Sequence, residues 1–145
     1  MARKQSIPLN KAPLLLSFIE NIIKFDGQID VQCDLANELV ITRRCGCKQK
    51  DCATVYLKRN KEWDEDIVNK WSLIDTSKGL VILHFEENGY MEVESLCYNF
   101  FPYRHELKRI FDKDFSEPSQ QEKNALKRYF KHLKSGNMPI ITIDE

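Results

Sequence analysis

The residues best suited to chemistry crowd into one short stretch, Cys45-Gly46-Cys47-Lys48-Gln49-Lys50-Asp51-Cys52. Thiols this close could converge on a soft metal ion. The flanking cations Arg43, Arg44, Lys48 and Lys50 favour the thiolate form that such an ion requires. Structural zinc takes four such ligands. The chain therefore nominates Cys45, Cys47, Cys52 and Cys33 as a zinc set, with Cys97 or a histidine as other candidates for the fourth place. The spacing points the other way, because zinc sites usually read as paired Cys-x2-Cys units and this stretch holds one Cys-x-Cys and a lone Cys. A tight loop, with Gly46 supplying backbone freedom and the thiols serving as small side chains, accounts for the same residues. A redox role is the third reading. Five cysteines are an odd count, which speaks against a structural disulfide framework.

No other pattern assembles a catalytic set. The glycines are too scattered to cradle a phosphate, and no serine stands in Gly-x-Ser-x-Gly. His105-Glu106 opens like a metalloprotease helix, but Arg109 occupies the place of the second histidine. His84 reads as a packed or edge imidazole of a strand, and His132 as a solvent-facing residue of a basic helix. Glu86/Glu87 and Glu92/Glu94 could carry acid–base work, and read more simply as solubilising residues near a hairpin tip. Lys123, Lys127, Lys131 and Lys134 form a stripe that could meet phosphates, an acidic protein or an anionic membrane. Its simpler reading is the solvated side of a core helix. Tyr98, Phe100, Phe101 and Tyr103 likewise read as core rather than a base-stacking platform.

The elements that must position these groups follow from periodicity. Leu15, Phe18, Ile19, Ile22 and Ile23 stripe a helix over 13–25, with Pro13 in its first turn and Asp26-Gly27 as its stop. Strands are expected at 28–33 and 38–42, then the cysteine loop over 43–52, then a half-buried strand alternating through Ala53, Val55 and Leu57. Trp63, Ile67 and Trp71, four apart, predict a short helix. Residues 80–85 and 90–94 flank Asn88-Gly89, a favoured two-residue hairpin tip. That register puts Ile82, His84, Met91 and Val93 on one face and Val81, Leu83, Phe85, Glu92 and Glu94 on the other. Tyr103, Leu107, Ile110 and Phe111 mark a second helix. Ser119-x-x-Glu122 opens a third, with Leu126, Tyr129, Phe130 and Leu133 as its stripe and Gly136 as its stop. Residues 140–143 read as a last edge strand. The expected class is α+β: a mostly antiparallel sheet with an N-terminal helix and two C-terminal helices packed on it.

Composition bounds the rest. A chain of 145 residues fits one domain, 1–145, and 42% hydrophobic content with eight Phe, five Tyr and two Trp is enough for a core. Twenty-two basic residues balance twenty-two acidic ones, which removes the overall positive field of a general nucleic-acid binder. Basic residues nevertheless crowd 43–61 and acidic ones 62–66, leaving patches of both signs. Arg3 and Lys4 before the apolar residues of 14–23 superficially suggest a signal peptide. Glu20 and Asn21 interrupt that run, which is also far short of a membrane span. The expectation is a cytoplasmic protein without membrane insertion.

One resemblance adds to these readings. Arg44-Cys45-Gly46-Cys47, then 52–57, then the Asn88-Gly89 hairpin and a Phe-Pro turn make residues 38–107 similar to small bacterial Cys-Gly-Cys proteins of unassigned function, some of them immunity-type partners of secreted toxins. The resemblance implies a small bacterial binding protein and supplies no functional residues. Together these readings predict a non-enzymatic domain whose partner is another protein, with toxin neutralisation as the specific form. The alternative is a zinc-containing nucleic-acid-binding domain using the 45–52 loop and its neighbouring arginines and lysines.

Overall fold

Six strands pair antiparallel throughout in the computed structural model, which describes residues 6–27, 30, 31, 33–45, 53–76, 79–97 and 103–134. In chain order the elements are β1 (Ile7–Pro8), α1 (Pro13–Asp26), α2 (Leu35–Glu38), β2 (Leu39–Arg44), β3 (Val55–Arg59), β4 (Trp71–Thr76), β5 (Gly79–Phe85), β6 (Tyr90–Cys97), α3 (Arg104–Phe111) and α4 (Gln120–Lys134). The sheet order is β1-β2-β3-β6-β5-β4. This is the expected α+β architecture.

The three long helices lie on one face. Leu14, Leu15, Phe18, Ile19 and Ile22 of α1 join the same buried cluster as Val55, Leu57, Leu83, Phe85 and Val93 of the strands. The Phe18 ring packs 4.8 Å from Tyr103, 5.4 Å from Tyr129 and 5.7 Å from Phe130, which ties α1 to the segment opening α3 and to α4. α1 ends as expected: Gly27 takes φ 71°, and its N–H donates to the Ile23 carbonyl at 3.1 Å. The expected cap of α4 also forms. Ser119 Oγ accepts the Glu122 N–H at 3.1 Å, while Glu122 Oε1 accepts the Ser119 N–H at 2.9 Å.

Three expectations are corrected. Asp30, Val31 and Cys33 are not in a strand; this stretch crosses to α2, a single helical turn. The spacing of Trp63, Ile67 and Trp71 belongs to a turn, not a helix. Asn69 there adopts φ 66°, its N–H donates to the Phe85 carbonyl at 2.6 Å, and Trp71 begins the edge strand β4. Pairing with β5 overrides the local pattern.

The hairpin register is the third. Phe85 pairs with Met91, His84 with Glu92 and Leu83 with Val93, so the connection is longer than two residues and the pairing shifts by one. Asn88 and Gly89 do take positive φ, 63° and 76°, as that dipeptide favours. What sets the loop is its neighbour, the β3–β4 connection. A Cβ on Gly89 would lie 2.5 Å from the Arg59 carbonyl oxygen and 2.6 Å from that of Lys61. Glu62 Oε2 accepts the Asn88 N–H at 2.8 Å, and Trp63 Nε1 donates to the Tyr90 carbonyl at 2.8 Å. A shift of one residue exchanges the faces. Val81, Leu83, Phe85, Met91, Val93 and Ser95 face the helices, while Ile82, His84, Glu92 and Glu94 face outward, half-buried. The strand expected at 140–143, the stop at Gly136 and the side chain of Leu133 lie outside the described residues.

Candidate binding surface

Of the five cysteines, Cys33 and Cys45 have described side chains, and they sit at different places in the fold. Cys45 directly follows β2 and donates its N–H to the Thr54 carbonyl at 2.9 Å. Cys33 lies before α2, near the Arg59–Glu38 pair that holds the opposite end of the β2–β3 ladder. The length of β2, roughly 15–20 Å at about 3.3 Å per residue, lies between Cys45 and that pair. Burial pushes the Cys33 thiol up, with Glu38, Asp34 and Asp64 adding to the rise and Arg59 opposing it, so this sulfur is held as the thiol and not the thiolate. Cys47 and Cys52 lie outside the described residues, as does the side chain of Cys97. Among the described residues no three His, Cys, Asp or Glu side chains cluster as a metal would need.

The His105-Glu106 pair does something other than catalysis. Ala12, at the N-cap of α1, offers no capping side chain, and Glu106 supplies the cap from α3. Its two carboxylate oxygens accept the Leu14 N–H at 2.9 Å and the Leu15 N–H at 2.8 Å. Burial pushes this carboxyl up to about 7, outweighing those two N–H groups and Arg109, with Glu122 adding to the rise. Arg109, in the place of the missing histidine, stands 2.9 Å from Glu122. At 2% exposure Glu106 is sealed from any substrate, and its role is to clamp α3 to the start of α1.

The surface with accessible chemistry is the outward face of the sheet. One row crosses five strands in direct register: Arg43 of β2, Tyr56 of β3, Glu92 of β6, His84 of β5 and Trp71 of β4. Arg43 reaches this row because of a bulge after Ile41. Simple alternation with Leu39 and Ile41 would turn Arg43 towards the helices; the extra residue, Thr42, turns it out. Its guanidinium lies 4.2 Å over the Tyr56 ring. At the other end, the Trp71 indole stacks on His84 with centroids 3.7 Å apart and planes 9° from parallel. Lys58, one pair along, sits 5.1 Å over Tyr90. Trp71 is 55% exposed and Tyr90 42%, and no described helix crosses them.

The centre of the row is acidic. The Glu92 carboxyl is pushed up by burial first, then by Glu94 and Glu86, with Arg43 a weaker opposing charge; Glu94 is also its hydrogen-bond partner. Glu86, Glu92 and Glu94 are therefore half-buried and not simply solubilising residues near the hairpin tip. On the basic side of α4, Lys123, Lys127, Arg128 and Lys131 are exposed beside the buried Leu126, Tyr129 and Phe130, while the side chains of His132 and Lys134 lie outside the described residues. Tyr103 of the aromatic run is fully buried, and 98–102 lie outside the described residues.

No family model, curated protein or solved structure matches the chain. No described helix is long and apolar enough to cross a membrane.

The sequence pattern named His84, Glu92 and Glu94 but put His84 on the face opposite the two carboxylates, whereas all three share one face. It missed the Arg43–Tyr56–Glu92–His84–Trp71 row altogether. The signal that could have found it was the concentration of Trp, Tyr and His at outward strand positions. That signal is legible only once β4 and the hairpin register are known.

Proposed function

We propose that the chain is a protein-binding domain, acting without chemistry of its own, and that its docking surface is the open face of the sheet. The observation that carries this reading is the pair of large aromatic side chains, Trp71 and Tyr90, left exposed on a face whose opposite side already holds the helices. Tryptophan, tyrosine and arginine are the side chains over-represented in the energetic centres of protein interfaces, and this face presents all three. Neutralisation of a toxin, in the manner of immunity-type proteins, is the narrower form of the reading, and the identity of the captured partner decides it.

Affinity capture from the native cell tests this. The wild-type chain should recover one partner repeatedly, and a W71A/Y90A variant with an unchanged melting temperature should lose it. Retention of the same partner by that variant, or repeated recovery of none by the wild type, overturns the reading.

A further inference from the structure

Resting on that reading of the open face, we infer that the seat beside Trp71 and His84, with Glu92 and Glu94 at its edge, receives an arginine side chain of the protein partner. Charge complementarity selects this occupant. On this face Glu94 is the hydrogen-bond partner of Glu92, Glu94 and Glu86 both act to raise its carboxyl, and Arg43 opposes them more weakly. That guanidinium is already placed over Tyr56, and Lys58 lies over Tyr90. The carboxylates are therefore under-compensated while half-buried in the sheet, an arrangement that an incoming cation relieves.

The adjoining aromatic plane chooses among cations. Trp71 and His84 are stacked almost parallel, and His84 is the direct cross-strand neighbour of Glu92. A guanidinium is planar: it can lie on an aromatic plane while its N–H fork points at a carboxylate. An ammonium reaches only one of these at a time. A phosphate-bearing ligand fits worse, because a single strand of nucleic acid stacked on these rings would run its phosphates past the same carboxylates.

Three probes added to the full ¹⁵N-labelled chain test the inference. They are a blocked Gly-Gly-Arg-Gly-Gly peptide, its citrulline counterpart, which keeps the shape and loses the charge, and an oligothymidylate. The arginine peptide should shift the Trp71 indole and His84 ring signals saturably at millimolar concentration. Citrulline in the peptide, or E92Q/E94Q in the protein, should weaken that binding about tenfold, the factor that corresponds to 1.4 kcal/mol. Unmoved signals, equal binding of the citrulline peptide, or tighter binding of the oligonucleotide to this face overturns the inference. The protein-docking reading fails separately: a partner lost by W71A/Y90A but kept by E92Q/E94Q leaves the face standing and removes the arginine.

Discussion

Glu106 is where one side chain couples the fold to pH. The helix start, the two backbone N–H groups and Arg109 all favour its carboxylate, yet burial outweighs them. Its pKa rises from 4.5 to about 7 on folding. A raised pKa means that the folded state holds the proton more tightly than the unfolded chain. The resulting stabilisation is complete below about pH 4.5 and is lost as pH rises through 7. At about 1.4 kcal/mol per unit the loss is on the order of 3 kcal/mol. Glu122 does not obscure this window. Burial works to raise its pKa, but the Ser119 N–H, Arg109 and the Ser119 hydroxyl together hold it below its ordinary value, so its contribution falls away only at lower pH. Urea denaturation from about pH 4.5 to 7.5 should show wild-type stability falling and E106Q falling much less, whereas E106A, leaving two amides uncapped, should lose about 2 kcal/mol across the range. Gly89 supplies a second test at this scale. An added methyl must displace two backbone carbonyls and also sit at positive φ. G89A should cost more than about 2 kcal/mol in the same assay, while N88G, at a position without such contacts, should be nearly neutral.

Among the elements, the dividing line between legible and hidden is the range of the force that decides each one. α1, α3 and α4 declared themselves through stripes, a stop glycine and a Ser-x-x-Glu cap, all of which act within one turn of helix. β4 stayed hidden because its start is dictated by Phe85, whose N–H donates to the Lys70 carbonyl and whose carbonyl accepts the Asn69 N–H, rather than by local pattern. The hairpin register escaped for the same reason, since Glu62, Trp63 and the Arg59 and Lys61 carbonyls hold the tip from another loop. The bulge after Ile41, which carries Arg43 outward, has no marker in the residues around it. Candidate chemistry was thus readable residue by residue, while the face that assembles it was not. Two variants probe this scale. S119A should destabilise the chain by about 1 kcal/mol by removing the reciprocal cap of α4. C33S should leave the metal content of the purified protein unchanged, because Cys33 sits at the far end of β2 from Cys45; metal lost with Cys33 alone would show that the two ends of that strand do meet at one ion.

At the scale of the whole molecule, the sheet separates a packed face from an open one, and the two tryptophans lie on opposite sides of that division. Trp63 is 3% exposed, packs edge-on against Phe85 with centroids 5.0 Å apart, and donates its indole N–H to Tyr90. Trp71 stacks on His84 and is mostly open to water. Removing Trp63 deletes a core ring and one of the two hydrogen bonds to the Tyr90 carbonyl, so W63A should cost about 3–5 kcal/mol. Removing Trp71 deletes one aromatic pair at the surface, so W71A should cost no more than about 1.5 kcal/mol. Acrylamide quenching of the single-tryptophan variants W63F and W71F should place the accessible indole at 71 and the shielded one at 63. A Trp71 as shielded and as destabilising to lose as Trp63 would mean that some part of the chain covers this face. A surface needed for folding could not then also be the one held open for a partner.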